Sequence, residues 1–327
     1  MKTSRYQSLN FGDEKCASSQ YRILAYIAGL KARGIQLIPE AADAFSAWED
    51  LGALDGVIVQ KKLLSVGRLN RLRRQARRLI YDIDDAIWLP HGRRHHWWTR
   101  WRTNGRLRHV VRSAEVCVAA NHVIAAHLAQ WARRVEVQPM VLDETAWAPR
   151  PRTSTEGEVV LGWSGAPGNL KYLERLEPVL ASLQKRYPFL RVRVLCGKKP
   201  GWSAVQFDLI SWRPGVEAAE VGHFDIGLLP LEMTDFASAK SPIKGLQYMA
   251  SGICTVATPL PATRELFGGS EGAVFPDRLE DWESAIEGLI RDPMARERRA
   301  VSARAHFLAR HTLSRGLDFW TRLLTPA

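Results

Sequence analysis

The sequence predicts an α/β protein of two domains, each built on a mainly parallel sheet. Short apolar runs alternate with longer amphipathic stretches along the whole chain, a pattern typical of βα units. The 327 residues, 46% of them hydrophobic, are enough for two medium-sized cores. Residues 149–157 are rich in Pro, Thr and Ser, which indicates a linker between the domains.

The individual elements follow from these runs. In the first half, strands are predicted near 6–10 and at 56–60, 78–83 and 115–120, with helices at 21–34, 64–78 and 122–134. In the second half, strands are predicted at 158–165, 190–197, 225–231, 253–258 and 272–276, with helices at 169–187, 241–252 and 279–292. One long closing helix is predicted from about Met294 towards Leu324. The first domain is therefore placed at 1–150 and the second at 151–310, followed by a C-terminal helix at 311–327.

Composition narrows the class of protein. The net charge is +12, and residues 1–150 alone contribute +10 of it, from 24 Lys and Arg against 14 Asp and Glu. This asymmetry favours a polyanionic partner such as a membrane surface, a phosphorylated acceptor or a nucleic acid. No apolar run reaches the length of a spanning helix and the N-terminus lacks a signal-peptide core, so we expect a cytoplasmic protein. The four separated cysteines predict reduced thiols, and no structural metal is expected.

A glycine-containing turn follows the first strand of the second half. Gly162, Ser164, Gly165 and Gly168 precede a helix that is predicted to begin near Asn169. Glycines let a backbone approach a ligand, and a helix N-terminus attracts phosphate, so the turn is either a phosphate cradle or a plain tight turn.

The next predicted strand ends in lysines. A dinucleotide site usually has an acidic residue at this strand end, but here the strand is followed by Lys198 and Lys199. Lysines in place of an acid argue against a dinucleotide and favour a ligand rich in phosphate.

Two further lysines form the most specific signal in the chain. Lys240 and Lys244 are four positions apart where a helix is predicted to begin, so we expect both ammonium groups on one helix face. Cations in a first helical turn are unfavourable for the helix, and a bound phosphate would offset that cost. The alternative is a solvated charged face.

Several motifs in sequence order resemble the family 4 glycosyltransferases. The donor-binding domain of that family is similar to GWSGAPGNLKYLE (162–174), DIGLLPL (225–231), KSPIKGLQYMASG (240–252) and TVATP (255–259), and its acceptor half to residues 18–34, 77–88, 119–131 and 137–147. The resemblance implies a GT-B fold, in which two Rossmann-like domains face a central cleft and a C-terminal helix braces the first domain. It also implies a nucleotide-sugar co-substrate, retention of anomeric configuration, and neither a cofactor nor a metal.

The resemblance also assigns residues to the donor site. Lys240 and Lys244 would be catalytic, because they would neutralise the diphosphate leaving group, a role that Mg²⁺ has in other transferases. The resemblance also implies that backbone N–H groups of the Gly165 loop face the diphosphate. Further candidate donor-site residues, from their places at strand and helix ends, are Ser164, Lys198, Trp212 and Gln247. Trp212 either stacks on the base or lies in the core, and Gln247 would hydrogen-bond a ribose hydroxyl. Many family members have two glutamates eight positions apart, where this chain has Ala239 and Gln247.

The acceptor side is predicted from strand ends in the first half. Asp82, Asp84 and Asp85 follow an apolar run, where open α/β sheets have their ligand crevice, and Asp84 and Asp85 are candidate catalytic residues. The alternative for these carboxylates is helix capping. Asn121 follows the next strand and either contacts substrate or is an N-cap.

Residues 91–112 interleave tryptophan with arginine. Trp97, Trp98 and Trp101 lie among seven arginines, a mixture that suits an anionic membrane surface or a lipid-linked acceptor. A lid on the cleft and single-stranded nucleic acid are the alternatives, of which we do not expect nucleic acid.

Together these patterns predict a glycosyltransferase that moves a hexose from a nucleotide sugar to a sugar, lipid-linked or other acceptor hydroxyl in glycan or glycoconjugate biosynthesis. We expect it to be cytoplasmic, with possible peripheral attachment to the inner face of the membrane. A degenerate scaffold that binds lipid or another polyanion, and a nucleotide-sugar epimerase, are the competing interpretations.

Overall fold

The computed structural model describes residues 3–90, 97–150, 157–213 and 215–325. Twelve strands occur in these ranges: β1 (Ser4–Asn10), β2 (Ile35–Ala41), β3 (Gly56–Gln60), β4 (Leu79–Ile83), β5 (Val116–Ala119), β6 (Val135–Val137), β7 (Val159–Ser164), β8 (Leu190–Cys196), β9 (Asp208–Ser211), β10 (Ile226–Leu229), β11 (Cys254–Ala257) and β12 (Ala273–Val274). Six of them, β3, β4, β5, β7, β10 and β11, are buried at every residue, as expected for parallel strands that helices cover on both faces.

Fourteen α-helices occur in the same described ranges: α1 (Ala17–Arg22), α2 (Ile27–Ala32), α3 (Val66–Gln75), α4 (Trp97–Ser113), α5 (His122–Leu128), α6 (Leu170–Glu174), α7 (Glu177–Arg186), α8 (Glu217–Val221), α9 (Asp235–Ala239), α10 (Ile243–Ala250), α11 (Pro261–Phe267), α12 (Asp281–Arg291), α13 (Pro293–Arg310) and α14 (Leu313–Leu324). Short 3₁₀ helices lie at Leu24–Tyr26, Trp48–Ala53 and Pro167–Asn169. Across these described ranges, no helix combines the length and apolar character needed to span a membrane.

The chain forms two compact units. The first comprises residues 1–141, 238–241 and 313–327, and the second comprises residues 142–237 and 242–312. Each unit contains one six-stranded parallel sheet. The predicted fold class, α/β with two Rossmann-like domains, is confirmed. The predicted linker at 149–157 falls largely on residues 151–156, which lie outside the described residues.

In the first unit the strand order is β2-β1-β3-β4-β5-β6, so the order reverses between β1 and β3. The C-terminal helix α14 belongs to this unit, as predicted. Its Phe319 and Trp320 join a core with Tyr6 and Tyr26, and the Tyr6 hydroxyl donates a 2.8 Å hydrogen bond to the carbonyl oxygen of Leu324.

In the second unit the order is β12-β11-β10-β7-β8-β9, and it reverses between β7 and β10. This is the Rossmann order, in which ligands bind outside the carboxyl ends of the strands at the reversal. Gly162 and Gly227 are register partners at that point. A Cβ on Gly162 would lie 1.9 Å from the ring of Phe224, so only glycine allows this ring to cover the sheet so closely.

Three predicted helices are interrupted. The segment 21–34 contains α1, a 3₁₀ turn and α2, and ends at Gly34 with φ of 77°. The segment 169–187 divides into α6 and α7, with Pro178 in the first turn of α7, a position that proline favours. The closing helix breaks at His311 and Thr312, where the carbonyl of His311 accepts from the Leu142 backbone N–H at 3.0 Å.

Candidate functional site

The carboxyl edge of the first sheet holds a network around Lys61. Its Nζ lies 3.4 Å from Asp84 Oδ1, forms an ion pair with Asp85 and lies 3.0 Å from Ser18 Oγ. The Ser18 hydroxyl in turn donates to Asp84 Oδ2 at 2.7 Å. Asp84 and Asp85, the two predicted catalytic carboxylates, therefore share one cation instead of facing solvent as an unpaired cluster.

Lys61 is held in an unusual backbone conformation. Its φ is +58°, in the left-handed region that a lysine rarely adopts. Burial opposes its charge, but Asp84 and Asp85 raise its pKa above the ordinary lysine value. The ammonium group therefore stays charged beside the two aspartates. Lys61 was not among the predicted site residues, although a lysine directly after an apolar strand was the available signal.

Asp82 has a different environment from its neighbours. Its side chain is fully buried and both of its oxygens accept from Arg22 Nε, at 3.2 and 3.1 Å. Arg22 Nη1 also donates to the Gln138 carbonyl at 2.6 Å. Asp82 was predicted to contact the acceptor, but this enclosed ion pair gives it a structural partner and no open face.

Asn121 is an N-cap. Its Oδ1 accepts from the Ile124 backbone N–H at 2.9 Å, the capping geometry of α5. Its Nδ2 donates to the Ala239 carbonyl at 2.8 Å and to Ser241 Oγ at 3.3 Å. These bonds attach residues 238–241 to the first unit. Both ends of the amide therefore have partners, which favours the N-cap alternative over direct substrate contact.

The glycine turn after β7 differs from a simple cradle of N–H groups. The Gly165 N–H donates to the Leu195 carbonyl at 3.2 Å, and the Ser164 N–H donates to Tyr248 Oη at 3.0 Å. The prediction that backbone N–H groups of the Gly165 loop face a diphosphate therefore fails for these two. Instead, the Ser164 hydroxyl is buried at this edge and has no hydrogen-bond partner among the residues that the structure describes.

Glu217 connects three of the predicted donor-site residues. Its Oε1 accepts from Lys244 Nζ and from Trp212 Nε1, each at 2.8 Å, and its Oε2 accepts from Gln247 Nε2 at 3.3 Å. Burial alone would raise the pKa of Glu217, but the charge of Lys244 and these donated hydrogen bonds lower it below the ordinary value. Trp212 is exposed over 45% of its surface, so it is available for stacking and does not lie in the core.

The two lysines of the most specific motif do not share a helix face. Lys240 follows the end of α9, whereas Lys244 lies in the first turn of α10. Pro242 separates them, and the residue before a proline is disfavoured in helical conformation. The prediction of one shared face is therefore wrong. Lys198 lies beyond β8 and is exposed. Ala239, at one of the two positions where the resemblance led us to expect a glutamate, is buried.

Comparison with known protein families identifies the enzyme class of the second half of the chain. Residues 175–322 match the family model described as "Glycosyl transferase-like". The chain has the GT-B fold and carries a glycosyltransferase domain. The predicted resemblance and enzyme class are thereby confirmed, while assignment to family 4 stays a prediction. Among curated protein sequences, none matches this chain.

Solved structures share the fold of this chain along nearly its whole length. Sucrose-phosphate synthase from Thermosynechococcus elongatus matches with a TM-score of 0.73 at 12% identity, over 98% of each chain. A glycosyltransferase from Rickettsia africae matches with a TM-score of 0.72 at 10% identity, over 99% of this chain and 98% of the other. HepE from Anabaena, in complex with UDP and glucose, matches with a TM-score of 0.71 at 14% identity, over 98% of this chain and 99% of HepE.

The tryptophan-rich segment forms α4. Trp97, Trp98 and Trp101 are exposed over 67%, 52% and 65% of their surface, and Trp98 stacks on Trp101 with ring centroids 5.0 Å apart. The C-terminal half of the helix packs inward through Leu107, Val110 and Val111. Arg93 and Arg94, at the beginning of the predicted membrane-contacting segment, lie outside the described residues.

Two cavities lie away from the carboxyl ends of the strands. One, of 570 Å³, is lined by the first residues of β8 and β9, at the opposite edge of the second sheet, and one of 410 Å³ is lined by Arg78, Glu115 and the end of α14. We place the candidate site at the carboxyl edges because the polar networks converge there. Within the described ranges, no group of three or more His, Cys, Asp or Glu is arranged to hold a metal.

Proposed function

We propose that this glycosyltransferase moves a hexose from a nucleoside diphosphate sugar to an acceptor hydroxyl in the biosynthesis of a glycan or glycoconjugate. The observation that carries the proposal is the set of Lys244, Glu217, Trp212 and Gln247 outside the carboxyl ends of a sheet in Rossmann order. That edge is where open α/β sheets bind nucleotides. HepE, which has the same fold, was crystallised with UDP, UDP-glucose and glucose.

The donor would bind with its diphosphate near Lys244 and the Ser164 hydroxyl. As the bond between the anomeric carbon and the phosphate oxygen breaks, negative charge develops on the leaving diphosphate. A lysine ammonium that is already in position stabilises that charge. We therefore propose a metal-independent reaction, with Lys240 and Lys198 as further candidate cations and with retention of anomeric configuration.

The acceptor would bind on the first unit beside Asp84 and Asp85. Their shared partner Lys61 fixes both carboxylates, and Asp85 keeps a side chain that is 20% exposed. A carboxylate fixed in this way is suited to accept a hydrogen bond from an acceptor hydroxyl and so to orient it for attack. We assign this contact to Asp85 first, because Asp84 is the more buried of the two.

Donor binding is tested by thermal stabilisation with UDP-, GDP-, ADP- and dTDP-sugars, each measured with Mg²⁺ and with chelator. We expect one nucleotide series to stabilise the protein equally in both conditions. Lys244→Ala should remove that stabilisation, whereas Lys185→Ala, an exposed lysine near the opposite edge of the same sheet, should not. If none of the four nucleotide-sugar series stabilises the wild type, the proposal is contradicted. Consumption of a sugar nucleotide without any acceptor would favour an epimerase.

We also propose peripheral attachment of this protein to the inner, anionic face of a membrane through α4. Three exposed tryptophans in less than two helical turns, among arginines, match the composition of interfacial helices. Flotation with anionic liposomes tests this. Trp97→Ser/Trp98→Ser/Trp101→Ser should stay in the bottom fraction while wild type floats, and equal behaviour of the two proteins would refute the attachment.

A further inference from the structure

The Glu217 carboxylate is the meeting point of the predicted donor site, yet it was not itself predicted. It receives hydrogen bonds from a lysine ammonium, an indole N–H and a side-chain amide, at 2.8, 2.8 and 3.3 Å. Its side chain remains 17% exposed, so it is largely enclosed but still accessible to solvent. Three convergent donors fix the position of this carboxylate.

A carboxylate at this place is costly for phosphate binding. A phosphate oxygen about 6 Å from a carboxylate is repelled enough to weaken binding roughly 100-fold at an effective dielectric constant of about 20. The neighbour of Glu217 is Lys244, the lysine to which we assign the diphosphate. The carboxylate is therefore unsuited to the phosphates and suited to a part of the donor that offers hydrogen-bond donors.

Three chemical groups that suit the parts of a nucleotide meet at this edge. Trp212 follows β9, Glu217 touches both Trp212 and Lys244, and Lys244 follows β10. The Trp212 indole N–H and the Lys244 ammonium both donate to the same oxygen, Oε1 of Glu217, each at 2.8 Å, so all three groups meet at one point of the edge. An aromatic face, a carboxylate and an ammonium are the groups that suit a base, a ribose and a diphosphate.

The carboxylate also has capacity for a further donor. An ionised carboxylate offers about four lone-pair sites, and the three donors named above use three of them. Ribose hydroxyls are donors that carboxylates commonly hold in nucleotide sites of α/β sheets. The side-chain amide of Gln247 donates to Glu217 Oε2 and so supports the carboxylate that α8 contributes.

We propose that Glu217 binds the ribose hydroxyls of the donor nucleotide and makes the site selective for ribonucleotides. This assignment rests on the proposed nucleotide-sugar function. Within it, Trp212 stacks on the base, and Gln247 acts as a positioning residue that holds Glu217 through its Nε2.

The test compares the dissociation constants of UDP, 2′-deoxy-UDP and 3′-deoxy-UDP by titration calorimetry, with GDP, ADP and dTDP as further probes of the wild type. A hydrogen bond to a charged group predicts that wild type prefers UDP over at least one deoxy analogue by roughly 10- to 100-fold. Glu217→Gln should reduce that preference to within about twofold. Glu220→Gln, on the same helix, is the matched control and should keep it.

A swap of the two side chains sharpens the test. Glu217→Gln/Gln247→Glu keeps one carboxylate and one amide at the same contact, and it should recover a preference of at least about fivefold for UDP over the deoxy analogue. If Glu217→Gln fails to fold, Glu217→Asp keeps the charge but shortens the reach, and it should lower the preference likewise.

The failures of the two proposals are distinguishable. If wild type binds none of the nucleotides, the nucleotide-sugar function falls and this assignment falls with it. If wild type binds UDP and Glu217→Gln keeps the full preference against deoxy analogues, only the assignment is overturned. Uniformly tighter binding of all three uridine nucleotides by Glu217→Gln, with the preference intact, would show that Glu217 is only a counter-ion of Lys244.

Discussion

The buried ion pair of the first unit allows a structural role to be separated from a catalytic one. Arg22 is 1% exposed and Asp82 is fully buried, and burial opposes the charge of Arg22 while Asp82 raises its pKa above the ordinary value. Asp82→Asn keeps the shape of the side chain but removes its charge. Arg22 would then be a buried cation without its anion, which costs about 3–5 kcal/mol.

The expected loss is large enough to measure directly. For a unit of this size, 1 kcal/mol lowers the melting temperature by about 2–4 °C, so Asp82→Asn should lower it by roughly 10 °C. Urea unfolding followed by far-UV circular dichroism measures the free energy, and scanning calorimetry measures the temperature. Asp318→Asn is the matched control, because its pair with Arg33 also belongs to the first unit but is solvent-exposed, and such pairs contribute about 0–1 kcal/mol.

Turnover supplies the second measurement. If Asp82 is structural, the folded fraction of Asp82→Asn should transfer sugar at close to the wild-type rate at 25 °C. The reasoning is refuted if Asp82→Asn unfolds within about 1 kcal/mol of wild type, since a buried pair worth so little would contradict the burial argument. A stable Asp82→Asn with severely reduced turnover would restore the acceptor-side role that the sequence suggested.

Three further predictions concern the second unit. Because the pKa of Glu217 is lowered in the folded state, its pair with Lys244 contributes stability above the unfolded value, ordinarily 4.5, and loses it as the pH falls through the folded value. The free-energy difference between wild type and Glu217→Gln should therefore be full at pH 7 and shrink as the pH falls below about 4.5; a constant difference would contradict this. Tyr248→Phe leaves the buried Ser164 N–H without its acceptor, so urea unfolding should show a loss of about 1–3 kcal/mol, and a neutral result would argue against that bond. Gly162→Ala brings a Cβ to 1.9 Å from Phe224 Cγ and should cost more than about 3 kcal/mol or prevent folding, whereas Gly168→Ala, with open space around it, should unfold like wild type.

The parts of the fold that follow from sequence are those dominated by burial. The central strands, such as β3 and β4, are mostly apolar and buried at every residue, and they were predicted almost to the residue. The edge strand β2 was not predicted, because its burial varies from residue to residue and it contains Pro39 and Glu40, both atypical of a central strand. An edge strand is defined by its hydrogen-bonding partner, which local sequence does not reveal.

The polar sites were predictable only in part, for a similar reason. Lys244, Trp212 and Asp84 stand at strand or helix ends that the apolar pattern marks, so position and chemistry together indicated them. Glu217 lies in the short segment VEAAEV, on a five-residue helix with no periodic signal. Its role arises from three donors that lie 5, 27 and 30 positions away along the chain. Such convergence is a property of the tertiary structure.

Both units satisfy the charges at their carboxyl edges before any ligand is considered. Asp84 and Asp85 are paired with Lys61 in the first unit, and Lys244 is paired with Glu217 in the second. An unpaired charge at these half-buried positions would destabilise the fold, so the pairs are a condition of building the site at all. A diphosphate that bound at Lys244 would therefore not meet a free ammonium group. It would join the existing ion pair and compete with Glu217 for the lysine. The diphosphate of the proposed donor would carry more charge than the carboxylate, and this charge would increase as the sugar departs. The ammonium would then interact more strongly with the transition state than with the bound donor. That difference, and not the strength of donor binding, is what would accelerate transfer.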